Sequence, residues 1–407
     1  MEKNVRNNLI YPILILLTVI TGIYAFTQAL QVPLTESNAE KVLSAWNILQ
    51  HNTALSSWKF SPIELPAYLL FVKILGIGTF SSIAVNVFFY LLPFCSGLLI
   101  LKSQKILTFS NLLIWIALTG LPDPVWMSAV QNAAFLISGL LLLPHFLSVY
   151  FEGHQKGSAI AALFCCIGTA LSLPKPFFTA AQPYAIHETL RALQSVFRAD
   201  FSQQPLLQYN TGRYFLMTVV LLLMVWSLFR TVRSFFRHEN KPLFQYLYAL
   251  LIFITILWCS FPFSGDRDLK RTFCAWLPFG TAMLLILIKE EYVSRDLHFA
   301  QGRLKISTLV NIFAALTILF GISHIVLSRP ASPADRVVIF LTERGQRQGY
   351  CEEKELALLT VAAKGRISFT TDPGAFGNSF SIFQFTDKMN EHRATEIIPP
   401  YRIMIYE

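Results

Sequence analysis

Charged residues are scarce in this sequence. Asp, Glu, Lys and Arg make up 14% of its 407 residues, while 54% are hydrophobic, and soluble chains carry about 25% charged residues. This scarcity excludes the two or three ordinary soluble domains that the length alone would suggest. The 35 Phe and seven Trp residues exclude a disordered chain. The composition therefore predicts a polytopic α-helical membrane protein.

Recognisable metal, redox and nucleic-acid motifs are also lacking. The six cysteines show no CxxC spacing, and His51, His145 and His187 stand apart from any second ligand at metal spacing. No basic run is interleaved with aromatic residues. We therefore interpret the net charge of +9 as a signal of topology and anionic lipid, and we expect no nucleic-acid partner.

Apolar runs follow one another along residues 1–329, and a helical span needs about 20 residues. The first run is longer than the apolar core of a signal peptide, about 7–15 residues, so we expect an uncleaved first helix. The run at 106–121 is short and leaves a hidden or re-entrant helix open. The nine predicted spans are 9–30, 79–101, 106–121, 127–150, 157–174, 214–230, 243–262, 272–288 and 306–328.

Basic loops predict the orientation of these spans, because short cytoplasmic loops are enriched in Lys and Arg. Arg230, Arg233 and Arg237 lie in one such loop, and Glu290 and Glu291 fall in another, as solvated charges. Loops on the other side are sparsely basic except at 267–271. The sequence therefore predicts about nine spans, with the N-terminus inside and the C-terminus outside.

Three predicted outside segments are long: 31–78, 175–213 and 330–407. In the first, Val42, Leu43, Trp46 and Leu49 recur at helical spacing and predict an amphipathic surface helix, and PAYLLFVKILG predicts a second one. We therefore divide the chain into a transmembrane domain, 1–329, with outer loops 31–78 and 175–213, and an extracytoplasmic domain, 330–407.

The segment 330–407 is polar and charged, and it predicts a small α+β domain. Ser332, Pro333 and Asp335 are placed to start a helix that ends at Gly345. A second helix is predicted over 352–364. Strands are predicted in RISFTT, SFSIFQFT and RIMIYE.

Three glutamates of the first outer segment are candidate catalytic groups, since a carboxylate there can act as general base on an acceptor hydroxyl. Ser37-x-x-Glu40 and Ser61-x-x-Glu64 have the form of capping boxes, which gives Glu40 and Glu64 a structural explanation. Glu36 has no such local role. We therefore favour Glu36 as the base, against the alternative of a solvated loop glutamate.

The stretch PLTESNAEKVLSAWNILQHNTALSSWKFSPIELPAYLLFVKILG resembles the first extracytoplasmic loop of type C glycosyltransferases. These polytopic enzymes use a sugar linked to polyprenyl phosphate. The family places an acid after the first span, then a surface helix, a Trp, and a Pro-adjacent acid before another surface helix. Glu36, the surroundings of Trp58, and Glu64 fill these positions. Many relatives carry Asp where this chain has Glu36 and Glu64.

The stretch ADRVVIFLTERGQRQGYCEEKELALLTVAAKGRISF is similar to a C-terminal segment of some bacterial members of this superfamily. In those proteins an aromatic residue usually follows the Gly-Tyr pair closely. Here Cys351, Glu352 and Glu353 follow Gly349 and Tyr350. If this segment contacts the acceptor, the departure implies a different acceptor.

The resemblance implies an enzyme of the bacterial inner membrane that performs an inverting sugar transfer on the outer face. The acceptor would be a cell-envelope glycan or lipid, as in lipopolysaccharide or O-antigen modification. Such a transfer needs a base near the acceptor and cations around the departing lipid phosphate.

Arg267, Lys270 and Arg271 are the first candidates for binding that phosphate, because a helical spacing would place them near one face. The alternative is pairing with the two neighbouring aspartates and contact with headgroups. Lys175 and Arg213 are weaker candidates at the ends of other spans. Asp123 lies between two prolines, where a turn is the common explanation; an acceptor contact or a divalent metal there stays open.

The main alternative function is a transporter or flippase of lipid-linked sugars. An O-antigen-type polymerase or ligase and an inactive glycosyltransferase-like protein are further alternatives. A flippase should carry charged residues within its spans, facing a central cavity. The clear spans are nearly free of them, which favours the transferase.

Overall fold

The computed structural model describes residues 2–32, 34–50, 64–120, 124–153, 156–171, 222, 224–237, 242–260, 274–291, 296–299, 302–305, 308, 311–312, 314–316, 318–319, 332–371, 380–385 and 401–406. The described chain is mostly helical. The helices whose two ends are described are α1 (Glu2–Gln31), α2 (Glu36–Leu49), α3 (Leu65–Leu75), α4 (Thr79–Ser103), α5 (Phe109–Thr119), α6 (Pro124–Gly153), α7 (Lys156–Leu171), α8 (Leu243–Ser260), α9 (Leu277–Glu291), α10 (Pro333–Glu343) and α11 (Glu353–Ala362). Further helical residues occur at 224–236, 311–312, 314–316 and 318–319. Its strands are β1 (Asp296–Phe299), β2 (Gly302–Lys305), β3 (Gln348–Tyr350), β4 (Ser368–Thr370), β5 (Phe380–Phe385) and β6 (Tyr401–Tyr406).

Two described helical segments are long and apolar enough to cross a bilayer. They are Thr79–Ser103, with a mean hydropathy of 2.1, and Ala133–Phe151, with 1.9. Shorter apolar helices occur at Thr18–Leu30, Leu65–Leu75, Phe109–Thr119, Gly157–Ile167 and Leu243–Leu257. A largely helical chain with candidate spans agrees with the class that the composition predicts.

The predicted span at 106–121 forms the short helix α5. Thr108 caps its first turn, accepting a hydrogen bond from the Asn111 backbone N–H at 3.2 Å. Its last residue is Thr119, whose carbonyl accepts a hydrogen bond from the Tyr90 hydroxyl of α4. Eleven residues rise about 16 Å, about half of a 30 Å hydrocarbon core. Helix α5 is therefore too short to cross a bilayer by itself.

The chain divides into two compact units. Unit 1 comprises Met1–Ala29 and Asn86–Val326, and unit 2 comprises Leu30–Val85 and Leu327–Glu407. Unit 2 thus draws on both the first outer segment and the tail, which the sequence assigns to separate domains. The predicted boundary at 329–330 stays a prediction.

Buried aromatic side chains pack together in unit 1, and two of their rings lie directly against glycines. The Trp115 ring lies 5.9 Å from that of Phe279 and 6.2 Å from that of Phe94, between centroids. A Cβ on Gly97 would lie 2.0 Å from the Trp115 ring. A Cβ on Gly280 would lie 2.1 Å from the ring of Trp276, whose indole N–H donates to Thr255 at 2.8 Å. These two glycines are therefore needed for close packing of the rings.

The tail of unit 2 forms an α+β layer. Its four-stranded sheet has the order β4-β3-β6-β5, with β3 parallel to β4 and antiparallel to β6. The predicted capping box is confirmed: the Ser332 hydroxyl accepts from the Asp335 N–H at 3.1 Å, and the Asp335 carboxylate accepts from the Ser332 N–H at 2.9 Å. The two predicted helices and three predicted strands are present. Strand β3 is an addition that the sequence did not predict.

The core of this layer lies between its two helices and the sheet. Helix α10 contributes Ala334, Val337 and Leu341, and α11 contributes Leu359, followed by Ala363 and Ile367 in the next turn. Cys351, directly after β3, is fully buried among them. The positive φ angles of Gly345 and Gly365, 69° and 68°, end the two helices, as the sequence predicts.

Candidate functional site

Helix α2 carries two of the three candidate catalytic glutamates. It begins at Glu36, and the hydroxyl of Thr35 caps it by accepting from the Asn38 N–H at 3.3 Å. The predicted capping box of Ser37 and Glu40 is therefore wrong, because the helix starts two residues earlier and Ser37 lies inside it. The prediction that Glu36 lacks a local role is also wrong. A carboxylate in the first turn interacts favourably with the helix dipole and so stabilises the helix.

The Glu36 side chain is exposed at this helix start. Glu40 follows one turn later and is half-buried, and residues four apart share one face of a helix. Among the residues that the structure describes, the Glu36 carboxylate enters no ion pair. Glu36 is thus the most solvent-accessible of the predicted catalytic acids.

Glu64 reaches the same part of α2 from the start of α3. It is the N-cap residue of α3, and its side chain makes no capping bond, so its predicted capping-box role is wrong. Its carboxylate instead pairs with the Lys41 ammonium at 2.8 Å. Lys41 also lies over the Tyr68 ring, 5.8 Å from its centroid. The two charged side chains are only 12% and 13% exposed, so this is a shielded pair between two helices.

Two of the three predicted acids lie in the first two turns of α2, and the third, Glu64, is paired with Lys41 of the same helix. Lys41 follows Glu36 by five residues, an axial rise of about 7.5 Å. Glu36 faces solvent, whereas Glu64 is neutralised by Lys41. The role of Lys41 was not predicted, because its partner lies 23 residues away and local spacing carries no signal for such a contact.

Helix α2 is supported on two sides within unit 2. It packs against α3 and against α11 of the tail. Its buried face is formed by Asn38, Ala39, Val42 and Ala45. Of the predicted apolar positions Val42 is thus buried, while Leu43, Trp46 and Leu49 are half-buried. The small alanines let the neighbouring helices approach closely. Glu36 and Glu40 thus stand on a helix that packs against both α3 and the tail.

A second polar cluster is buried in unit 1. The Lys289 ammonium donates to the Asn111 side-chain oxygen at 3.0 Å and to the Ser110 hydroxyl, which in turn donates to Asn311. The Asn111 amide donates to the Glu290 carboxylate at 2.7 Å. The interpretation of Glu290 as a solvated loop charge is therefore wrong. Helix α9 extends through it and is tied to the start of α5.

His145 of α6 is bound to the end of α4. Its ring nitrogens lie 3.2 Å from the Ser103 hydroxyl and 2.8 Å from the Gln104 amide. This arrangement is a polar tie between helices and holds no second metal-binding side chain. Within the described ranges, no group of three or more His, Cys, Asp or Glu side chains could hold a metal ion.

The residues predicted to bind the lipid phosphate or another part of the substrate lie outside the described residues. The first candidates among them are Arg267, Lys270 and Arg271. The weaker candidates are Lys175, Arg213 and Asp123. Trp58 and Ser61 of the first outer segment lie outside them as well. Their roles stay predictions from the sequence.

Comparison of the chain with models of protein families, with curated proteins and with solved structures gives no match.

Proposed function

We propose that the chain is an inner-membrane enzyme that transfers a sugar from a polyprenyl-phosphate donor to a glycan or lipid acceptor on the outer face of the membrane. The observation that carries this proposal is the exposed Glu36 carboxylate at the start of α2, directly after the first predicted span. A general base must reach the acceptor hydroxyl, and among the three predicted acids Glu36 is the exposed one. Arg267, Lys270 and Arg271 would bind the lipid phosphate as it leaves.

The packing of helices within unit 2 constrains the proposed topology. Because α2 packs against α11, we place the first outer segment and the tail on the same side of the membrane. The intervening chain must then cross an even number of times. Eight of the nine predicted spans begin after α3 and end before the tail. They meet this condition only if residues beside α5 complete the crossing that the 11-residue helix is too short to make by itself.

The proposal is tested by measuring sugar transfer in membranes that contain the full chain, supplied with polyprenyl phosphate carrying radiolabelled sugars. We expect Glu36→Gln to lower the transfer rate by about 100- to 10,000-fold, the range that general-base catalysis contributes. Glu36→Asp keeps a base and should retain much of the rate. Unchanged transfer in Glu36→Gln would remove Glu36 as the base.

Glu40→Gln is the matched control, because it removes the same charge one turn along the same helix. We expect its transfer rate to stay within about tenfold of the original. Arg267→Gln with Arg271→Gln should raise the donor concentration needed for half-maximal rate. If the folded double variant keeps the original donor affinity, the phosphate-binding assignment fails.

The alternative is a transporter or flippase of lipid-linked sugars. Lys289 favours it, because it is a cation buried among the helices of unit 1, and ionisable groups inside a membrane bundle often mark a transport path. Wild-type chain that transfers no sugar from any donor, while moving lipid-linked sugar across vesicles, would make this alternative the better one. Loss of that movement in Lys289→Met would assign the path to this cluster.

A further inference from the structure

Two turns of the tail lie side by side at one end of its α+β layer. They are 344–347, between α10 and β3, and 363–367, between α11 and β4. Strands β3 and β4 are parallel, with Gln348 opposite Ser368, and α11 connects them. The Ser368 N–H donates to the Arg347 carbonyl at 2.9 Å. The two turns therefore form one surface, which we call the basic end.

Cations dominate this surface. Arg344, Arg347, Lys364 and Arg366 are all exposed, and Glu343 is the acid beside them. The acids of α11, by contrast, gather in its first turn, at the opposite end of the helix. Charge is thus separated along α11, with the positive side at the two turns.

The basic end contacts the beginning of a candidate membrane span within unit 2. The Lys364 ammonium lies over the ring of Phe80, 5.7 Å from its centroid, and Phe80 is the second residue of α4. The Lys364 Cγ would lie 3.4 Å from a Cβ on Gly78, and a Cβ on Gly365 would lie 3.3 Å from Ile77. The basic end therefore stands at the level where the 25-residue apolar helix begins.

Helix α3, just before this span, presents an uncovered apolar face. Tyr68 and Val72 are buried, while Leu70 and Ile74 are 53% and 67% exposed. Exposed Lys73 lies beside them. An apolar helix face flanked by lysine is typical of a helix that lies in the membrane interface, and lysine there extends its ammonium to the headgroups.

We propose that the basic end and the outer face of α3 form one surface that docks unit 2 on the bilayer through anionic phospholipids. Lys73, Lys364 and Arg366 bind the headgroup phosphates, while Leu70 and Ile74 enter the acyl boundary. The start of α4 places the surface at membrane level, and the cations match the charge of anionic lipid. This docking is independent of sugar transfer.

Hydrogen exchange of the full chain in nanodiscs tests the proposal. Residues 362–369 and 68–78 are compared in neutral phosphatidylcholine and in the same lipid with about 30 mol% phosphatidylglycerol. We expect exchange to slow by about fivefold or more with the anionic lipid, and we expect 0.5 M salt, roughly, to abolish the difference because it screens exposed charges. Equal exchange in the two lipids would overturn the proposal.

A matched pair of variants locates the effect. Lys364→Gln with Arg366→Gln should abolish the lipid-dependent slowing. Arg336→Gln with Lys354→Gln also removes two positive charges, from the first turns of α10 and α11. This control pair should leave the lipid-dependent slowing of exchange intact. Equal loss in both pairs would show a general charge effect and overturn the assignment. Slowing by inorganic phosphate alone, in neutral nanodiscs, would show a site for free phosphate and also overturn docking on lipid.

Discussion

Lys41 and Glu64 form an ion pair of 2.8 Å that joins α2 to α3, with both side chains nearly shielded from solvent. The pair links two surface helices that are separated by residues outside the described ranges. It also gives the Glu64 carboxylate an ion-pair partner, unlike that of exposed Glu36. A structural tie therefore lies next to the proposed catalytic base.

Breaking this pair should destabilise unit 2. We expect Glu64→Gln to cost about 1 kcal/mol and Lys41→Met about 1–3 kcal/mol, because the latter leaves the Glu64 carboxylate unpaired in a shielded place. Thermal unfolding of the purified chain measures both. The double variant should cost less than the sum of the two single variants. Strict additivity would show that the two charges do not interact, and exposed Lys73→Met serves as the control.

Gly97 and Gly280 should not tolerate alanine. The added Cβ would lie 2.0 Å and 2.1 Å from the rings of Trp115 and Trp276, so each ring must move within a packed interior. We expect each alanine to cost about 1–3 kcal/mol, as overpacking usually does. Gly157→Ala is the control: its Cβ meets nothing within 4 Å, and it should stabilise α7 by up to about 1 kcal/mol. Equal unfolding temperatures for all three variants would contradict the packing described.

Replacing Asn111 by alanine or by aspartate should lower the stability of the protein. Its amide donates at 2.7 Å to the Ile106 carbonyl and to Glu290, and its oxygen accepts from Lys289. Asn111→Ala leaves buried partners unpaired, at a cost of about 1–3 kcal/mol.

Asn111→Asp should also destabilise the protein, since it replaces the donor to Glu290 by a second carboxylate. Exposed Asn47→Ala is the control. An Asp variant as stable as the original chain would show that Glu290 is not held by this amide.

Cys351 should be nearly inert to thiol reagents in the folded chain. Burial, and to a lesser extent Glu355 and Glu352, raises the pKa of its thiol to about 12 from 9.0. Three pKa units lower the thiolate fraction at pH 8 by about 1,000-fold, and the thiolate is the reactive form. Peptide-resolved maleimide labelling, with the unfolded chain as reference, measures the rate. A native rate close to the unfolded one would contradict this burial.

The same shift has a consequence for stability. The folded pKa lies above the unfolded value, so the folded state favours the neutral thiol. Its contribution to stability is complete below pH 9, and it is lost as the pH rises towards 12. Cys351→Ala should weaken this loss in alkaline unfolding of the tail.

The tail shows how far local signals reach. Ser332, Pro333 and Asp335 predict a helix start, and Gly345 and Gly365 predict helix ends, because caps and left-handed residues act on the adjacent backbone. Strand β3 was missed because three residues are too few for a pattern of alternation. At α2, the capping pattern predicted the wrong start, Ser37 in place of Thr35. Both side chains can cap a helix, and burial of Asn38 and Ala39 against neighbouring helices favours the earlier start.

The sequence by itself determined the largely helical fold with its candidate membrane spans and the local helix ends, since hydropathy and capping depend on residues close together in the chain. Only the tertiary structure decided which acids are engaged and which segments join. The Lys41–Glu64 pair, the Lys289–Asn111 cluster and the packing of α2 on α11 each connect residues far apart in sequence. Such contacts form when packing brings oppositely charged or complementary surfaces together, and no local spacing encodes them.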